Sequence, residues 1–138
     1  MNPLEPMNEP LDLLVVAAHP DDAEISIGGT ILATLASGHR VGIVDLTRGE
    51  LSSRGTPELR AQETAAATEV LGIDYRVCLD LPDGSVRDTD EAREKLVAVV
   101  RHTRPRVMLA PWRDDLHPDH AGAGLLAYRS LYLGGVKV

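Results

Sequence analysis

Leu13–Glu24 reads LLVVAAHPDDAE: an apolar run without a polar interruption, then a histidine, a proline and a group of acids. A run of strand length with no alternation of polar residues suits a strand covered on both faces, the setting of a parallel sheet. The polar residues that follow at once then mark its carboxyl end. Three further short, strongly apolar runs follow: Val41–Leu46 (VGIVDL), Tyr75–Leu81 (YRVCLDL) and Val107–Ala110 (VMLA). Each interval between runs is long enough for a helix. The chain is therefore predicted to alternate strand and helix as β-α-β-α-β-α-β-α, an α/β fold of three layers, α/β/α, around a mainly parallel sheet.

The helix signals differ in quality. The third is clearest: Ala92, Leu96, Val99 and Val100 recur at i, i+4, i+7 and i+8, Asp88 and Glu91 stand at capping-box spacing, and Pro105 closes the segment. The second is predicted from Thr56-Pro57, a cap followed by proline at the first helical position, to a stop at Gly72. The first is read from about Ile25 to Ser37, with Gly38 as its stop. The fourth starts near Pro118-Asp119 and carries Leu125, Leu126 and Tyr128 towards Leu133. Val136–Val138 is read as the start of another strand. A sheet of four strands is small for this architecture, so a C-terminally shortened chain is expected.

A chain of 138 residues, 43% hydrophobic and 25% charged, has the size and composition of one globular domain, 1–138. Aromatic residues are only 3%, so Leu, Val, Ile and Ala must build the core. The net charge of −7, with no basic stripe, argues against a nucleic-acid partner. No apolar run approaches the ~20 residues of a membrane helix, and Met1–Pro10 lacks the basic residues of a secretory signal. The single cysteine, Cys78, forms no bridge within the chain. That fits a reducing compartment, and a cytoplasmic location is expected.

Two clusters hold most of the chemistry. His19, Asp21 and Asp22 follow the first strand, and His117, Asp119 and His120 follow the fourth. If the strand order is 3-2-1-4, the first and fourth strands are neighbours and both clusters reach the crevice where ligands bind in such sheets. Two imidazoles and a carboxylate make the three-ligand set of a catalytic zinc ion, whose open position takes a water of lowered pKa. A further carboxylate then serves as base and a further imidazole assists the oxyanion and leaving group. Pro20 and Pro118 stiffen the two loops. Taken singly, each cluster also reads as a polar turn with a helix cap; together they favour a metal site. His39 and His102, at a helix-to-strand turn and a helix end, are expected to meet solvent or helix carbonyls. A nucleotide-binding module of Rossmann type fits the alternation of elements, but the loop after the first strand lacks G-x-G-x-x-G and its carboxylates repel a pyrophosphate.

AHPDDAE after the first strand, Thr47-Arg48-Gly49-Glu50 after the second and HPDH after the fourth resemble the LmbE-like (PIG-L) zinc deacetylases, over about Leu13 to Ala127. DLTRGE, followed by Ser53–Arg60 (SRGTPELR) and Leu81-Pro82-Asp83-Gly84, resembles the bacillithiol-biosynthesis branch, which deacetylates N-acetylglucosaminyl-malate. The resemblance implies a Rossmann-like fold and zinc, or another divalent first-row metal, held by His19, Asp22 and His120. It implies Asp21 as general base, His117 as the group that assists the tetrahedral intermediate and the departing amine, and Asp119 as the partner that orients a histidine. Spacing alone does not separate Asp21 from Asp22. Arg54 and Arg60 match substrate-binding arginines, whose guanidinium groups suit a carboxylated aglycone; helix or surface ion pairs are the plainer reading. Asp83 is read as a turn residue or as a partner for sugar hydroxyls. The implied substrate is a small amino-sugar conjugate. The alternative is a scaffold that holds metal without activity, and apolar surface left open by missing strands makes a homo-oligomer an expectation too.

Overall fold

The computed structural model describes residues 5–136. Four strands alternate with four helices: β1 (Leu13–Ala17), α1 (Asp22–Ala36), β2 (Val41–Asp45), α2 (Pro57–Leu71), β3 (Tyr75–Cys78), α3 (Asp90–Thr103), β4 (Val107–Leu109) and α4 (Pro118–Gly135). All pairings are parallel and the order is β3-β2-β1-β4, with Leu13 opposite both Val41 and Val107. The sequence-based alternation and strand order both hold.

Side chains alternate across the sheet and so feed two cores. Leu14, Val16 and Val44 pack with Leu96, Val99 and Val100 of α3 and Leu126 of α4. Leu13, Val15, Val41 and Ile43 pack on the other face with Ala23 and Ile31 of α1. β1 and β2 are buried along their whole length, whereas the edge strand β4 leaves Val107 53% exposed. Helix α2 has no buried residue. Its sequence, PELRAQETAAATEVL, carries no apolar stripe, and it forms on end signals: Thr56 Oγ1 accepts from Leu59 N at 3.1 Å, Pro57 opens it and Gly72 closes it at φ 73°.

Several local expectations need correction. α1 starts at Asp22 rather than Ile25, and Ile27 breaks its backbone with φ −137° and ψ 22°. The cap of α3 is Thr89, which accepts from Ala92 N at 3.2 Å, not Asp88. Asp88 is instead drawn between Arg93 and Arg129, tying α3 to α4. β3 ends at Cys78, not Leu81. His102 is buried and its Nδ1 lies 2.5 Å from the Glu5 carbonyl, so the N-terminal segment rather than solvent receives it. Val136 caps α4; the remainder of the strand expected at Val136–Val138 lies outside the described residues.

Two glycines set how closely α4 approaches the sheet end. A Cβ on Gly122 would lie 2.0 Å from the Val86 carbonyl oxygen, and one on Gly124 would lie 2.4 Å from that of Pro111. Only glycine lets the first turns of α4, which carry the second polar cluster, settle between these two loops.

Candidate metal centre and active site

The polar run after β1 and the start of α4 meet at the carboxyl end of the sheet. The β1–β4 neighbourhood is where strand order reverses, so a crevice is expected there. His19, His117 and His120 gather with ring centroids 5.0, 5.6 and 4.7 Å apart. Asp22 Oδ2 lies 3.3 Å from His19 Nδ1 and 3.2 Å from His120 Nε2. Ligand atoms bound ~2.0–2.1 Å from one tetrahedral ion sit roughly 3.4 Å from one another, so this spacing fits a shared cation. His19, Asp22 and His120 present two nitrogens and an oxygen within 4.8 Å of one another.

The surrounding carboxylates choose the ring nitrogens. Asp119, 1% exposed, accepts from His19 Nε2 at 2.7 Å, from Gly84 N at 2.9 Å and from Val86 N at 3.1 Å. Its carboxylate therefore holds the Nε2 proton and turns Nδ1 towards Asp22. Burial opposes ionisation of Asp119, but these donors hold its carboxyl below the ordinary range. His19 is pushed up to about 9, by its bond to Asp22 first, against desolvation, and by Asp119. A cation held by this pair would take the place of the Nδ1 proton. A second grouping, His19 with His117 and Asp119, also falls within 4.8 Å, but both Asp119 oxygens are already engaged by the backbone. The first set fits a metal better.

Asp115 carries no motif signal of its own in the sequence. Its Oδ1 accepts from His117 N at 2.8 Å and its Oδ2 lies 3.6 Å from His120 Nδ1, so it aligns both histidines of the second loop. Asp83 Oδ1 is 3.1 Å from His19 Nε2, while its Oδ2 accepts from Leu51 N at 2.8 Å. The Leu-Pro-Asp-Gly turn thus joins the loop after β2 to the centre.

Asp21 and Asp22, adjacent in sequence, part company in space. Asp21 sits at φ 95° before α1 and its carboxylate points away from Asp22, to Arg60 Nη2 at 3.0 Å. Arg60 also donates to the Pro20 carbonyl at 3.3 Å. The arginine expected to bind substrate is engaged by the loop and by Asp21. Arg54 is exposed on the loop after β2, where its carbonyl accepts from Ser52 Oγ at 3.0 Å. His117 caps α4: its Nδ1 accepts from Asp119 N at 3.1 Å, which leaves the proton of the neutral ring on Nε2. Asp21 and His117 line a cleft of about 330 Å³ together with Leu51, Ser52 and Asp83. A hollow of about 440 Å³ flanks the other side of the centre, beside Asp22, His120, Ile25 and Trp112.

The chain is thus a parallel α/β sheet with paired histidine–carboxylate loops at its carboxyl end. Residues 14–130 match the family PIG-L, GlcNAc-PI de-N-acetylase, and the chain belongs to that family. It is 34% identical to a diacetylchitobiose deacetylase of Thermococcus kodakarensis, over 96% of this chain and 53% of that protein. It is 33% identical to a 1D-myo-inositol 2-acetamido-2-deoxy-alpha-D-glucopyranoside deacetylase of Catenulispora acidiphila, over 93% of this chain and 53% of that protein. Among solved structures it resembles a conserved protein of Thermus thermophilus, with 50% identity and a TM-score of 0.88, covering 92% of this chain and 58% of that one. The chain spans about half the length of the curated relatives it matches. No helix among the described residues is long and apolar enough to cross a membrane.

Proposed function

We propose that this domain hydrolyses the acetamide of an N-acetylglucosamine conjugate at the centre formed by His19, Asp22 and His120. One observation supports the reading: His19, Asp22 and His120 come together on loops from opposite ends of the chain, and His19 also lines the cleft that holds Asp21 and His117. A divalent first-row ion such as zinc, when bound, supplies Lewis acidity towards the carbonyl oxygen and lowers the pKa of a water. The chain's own groups do the rest. Asp21, held by Arg60, takes the water's proton at its carboxylate. His117 presents Nε2–H to the oxygen on which charge develops and assists the departing amine. Asp119 and Asp115 keep the imidazoles in register. The relatives' names support an acetamido-sugar substrate. They name a chitobiose and an inositol glycoside rather than a malate conjugate. With Arg60 engaged by Asp21, a carboxylated aglycone is left with Arg54 as its arginine.

Acetate release by the metal-loaded protein, measured on diacetylchitobiose, the inositol glycoside and N-acetylglucosaminyl-malate, tests both the activity and the aglycone. The exposure of edge strand β4, with Val107 53% open, favours a second reading in which the domain holds metal without turnover. One equivalent of tightly bound metal with no acetate from any conjugate selects it. Failure to bind metal removes both.

A further inference from the structure

The first turn of α1 is set off from the body of that helix by a break at Ile27, whose backbone is non-helical, and it is preceded by Asp21 in the left-handed region. Its packing anchor is the small side chain of Ala23, so the direction of the neighbouring carboxylates is left to polar contacts. The turn sends its acids in opposite directions. Asp22 faces His19 and His120, whereas Glu24 faces the guanidinium of Arg76 on β3. Arg76 also grips Asp45 at the end of β2 by two bonds, Nε to Oδ2 at 2.8 Å and Nη2 to Oδ1 at 3.1 Å. Its Nη1 further reaches Thr68 Oγ1 of α2 at 3.4 Å. One cation therefore joins α1, α2, β2 and β3 immediately behind the candidate metal centre.

We propose that Arg76, acting through Glu24, is the positioning residue for Asp22: it clamps the ligand-bearing turn of α1 to the ends of β2 and β3. The inference rests on reading His19, Asp22 and His120 as metal ligands. Fold stability alone does not require Glu24 in this cluster. Arg76 and Asp45 already form a bidentate pair with side chains only 7% and 3% exposed. Adding Glu24 puts a second carboxylate on one guanidinium and leaves Glu24 Oε2 buried without a hydrogen-bond partner among the described residues. That is an unfavourable arrangement for a purely structural pair and a natural one where a particular backbone position must be fixed.

Glu24→Gln separates the two roles, because it releases the turn but keeps the Arg76–Asp45 pair. Binding of Co2+ and Zn2+ is measured by chelator competition, with the visible spectrum of the cobalt form and thermal melting of the metal-free protein alongside. The expected result is about tenfold weaker binding, the lower end of what outer-shell changes produce, with altered cobalt bands and metal-free melting near that of the wild type. Wild-type affinity and an unchanged cobalt spectrum in folded Glu24→Gln protein would overturn the proposal. If that variant does not fold, Arg76→Lys, which keeps the charge and loses the fork, takes its place with the same expected loss, and unchanged binding again refutes it. Failure of the wild type to bind metal overturns the underlying assignment, which is a different outcome from equal binding by wild type and variant.

Discussion

Replacing Asp119 by asparagine puts the organisation of the centre under direct strain. The carboxylate is 1% exposed; Oδ2 serves His19 Nε2 and Gly84 N, and Oδ1 serves Val86 N. An amide keeps only one acceptor oxygen. Its better orientation places that oxygen at the Oδ2 position and turns an NH2 group against the Val86 N–H. One buried donor is then unpaired, at ~1–3 kcal/mol, and two charge-assisted bonds become neutral ones, at ~1 kcal/mol each. A loss of roughly 3–5 kcal/mol follows, a large share of the stability of a small domain. Urea unfolding of the metal-free protein at neutral pH measures it. Weakened hold on the Nε2 proton also lets His19 carry its proton on Nδ1, so metal binding is expected to fall about 10–100-fold. Asp83→Asn is the control, because Asp83 approaches the same nitrogen at 3.1 Å from a less buried position and without the backbone pair of Asp119. A loss below ~1 kcal/mol together with wild-type metal affinity in Asp119→Asn would show that Asp119 does not set the ring.

Three further outcomes follow from the same geometry. In the metal-free protein His19 is raised from 6.5 to about 9, so the stability it contributes is complete below about pH 6.5 and lost as pH rises through about 9. Metal affinity should move the opposite way, rising about tenfold per pH unit between pH 7 and 8 with release of one proton, which calorimetry in two buffers counts; binding without proton release contradicts the His19–Asp22 pairing. Gly122→Ala should lower the melting temperature by several degrees, because its Cβ must displace the Val86 carbonyl from 2.0 Å, while Gly29→Ala, with nothing within 4 Å, should be neutral or stabilising. Asp21→Asn should keep metal affinity within a few-fold and reduce acetate release about 100-fold or more, whereas Asp22→Asn should lose the metal; matching losses of metal in both would refute the division of roles.

The sheet is legible in the sequence because its signal is local. Four short, strongly apolar runs mark the strands, and polar clusters in the loops after the first and the fourth indicate which strands lie side by side. Cap positions are less so: Asp88 and Thr89 are both good caps, and the choice falls to Arg129 of α4, which draws Asp88 away from the helix end. The engagement of Arg60 escapes a local reading for a similar reason, since its partner Asp21 lies on a loop separated by 39 positions. The Glu24–Arg76–Asp45 cluster has no local mark at all. Its members are 52 and 31 positions apart, and nothing about an arginine in an edge strand announces two carboxylates beneath it.

The adjacent acids Asp21 and Asp22 show most clearly how backbone conformation becomes chemistry. Residue spacing treats them alike, since each stands within reach of His19. The chain separates them by one uncommon backbone angle: φ 95° at Asp21 turns its carboxylate outward to Arg60 and the cleft, and Asp22, the first helical residue, is left facing the histidines. A non-glycine residue in that region carries a strain of order ~1–3 kcal/mol, which persists only where surrounding contacts hold it. Those contacts are present on both sides, Arg60 on the Asp21 carboxylate and Pro20 carbonyl, and Arg76 on Glu24. The two arginines thus brace one strained turn from opposite ends, and the strain they hold is what gives neighbouring carboxylates separate tasks.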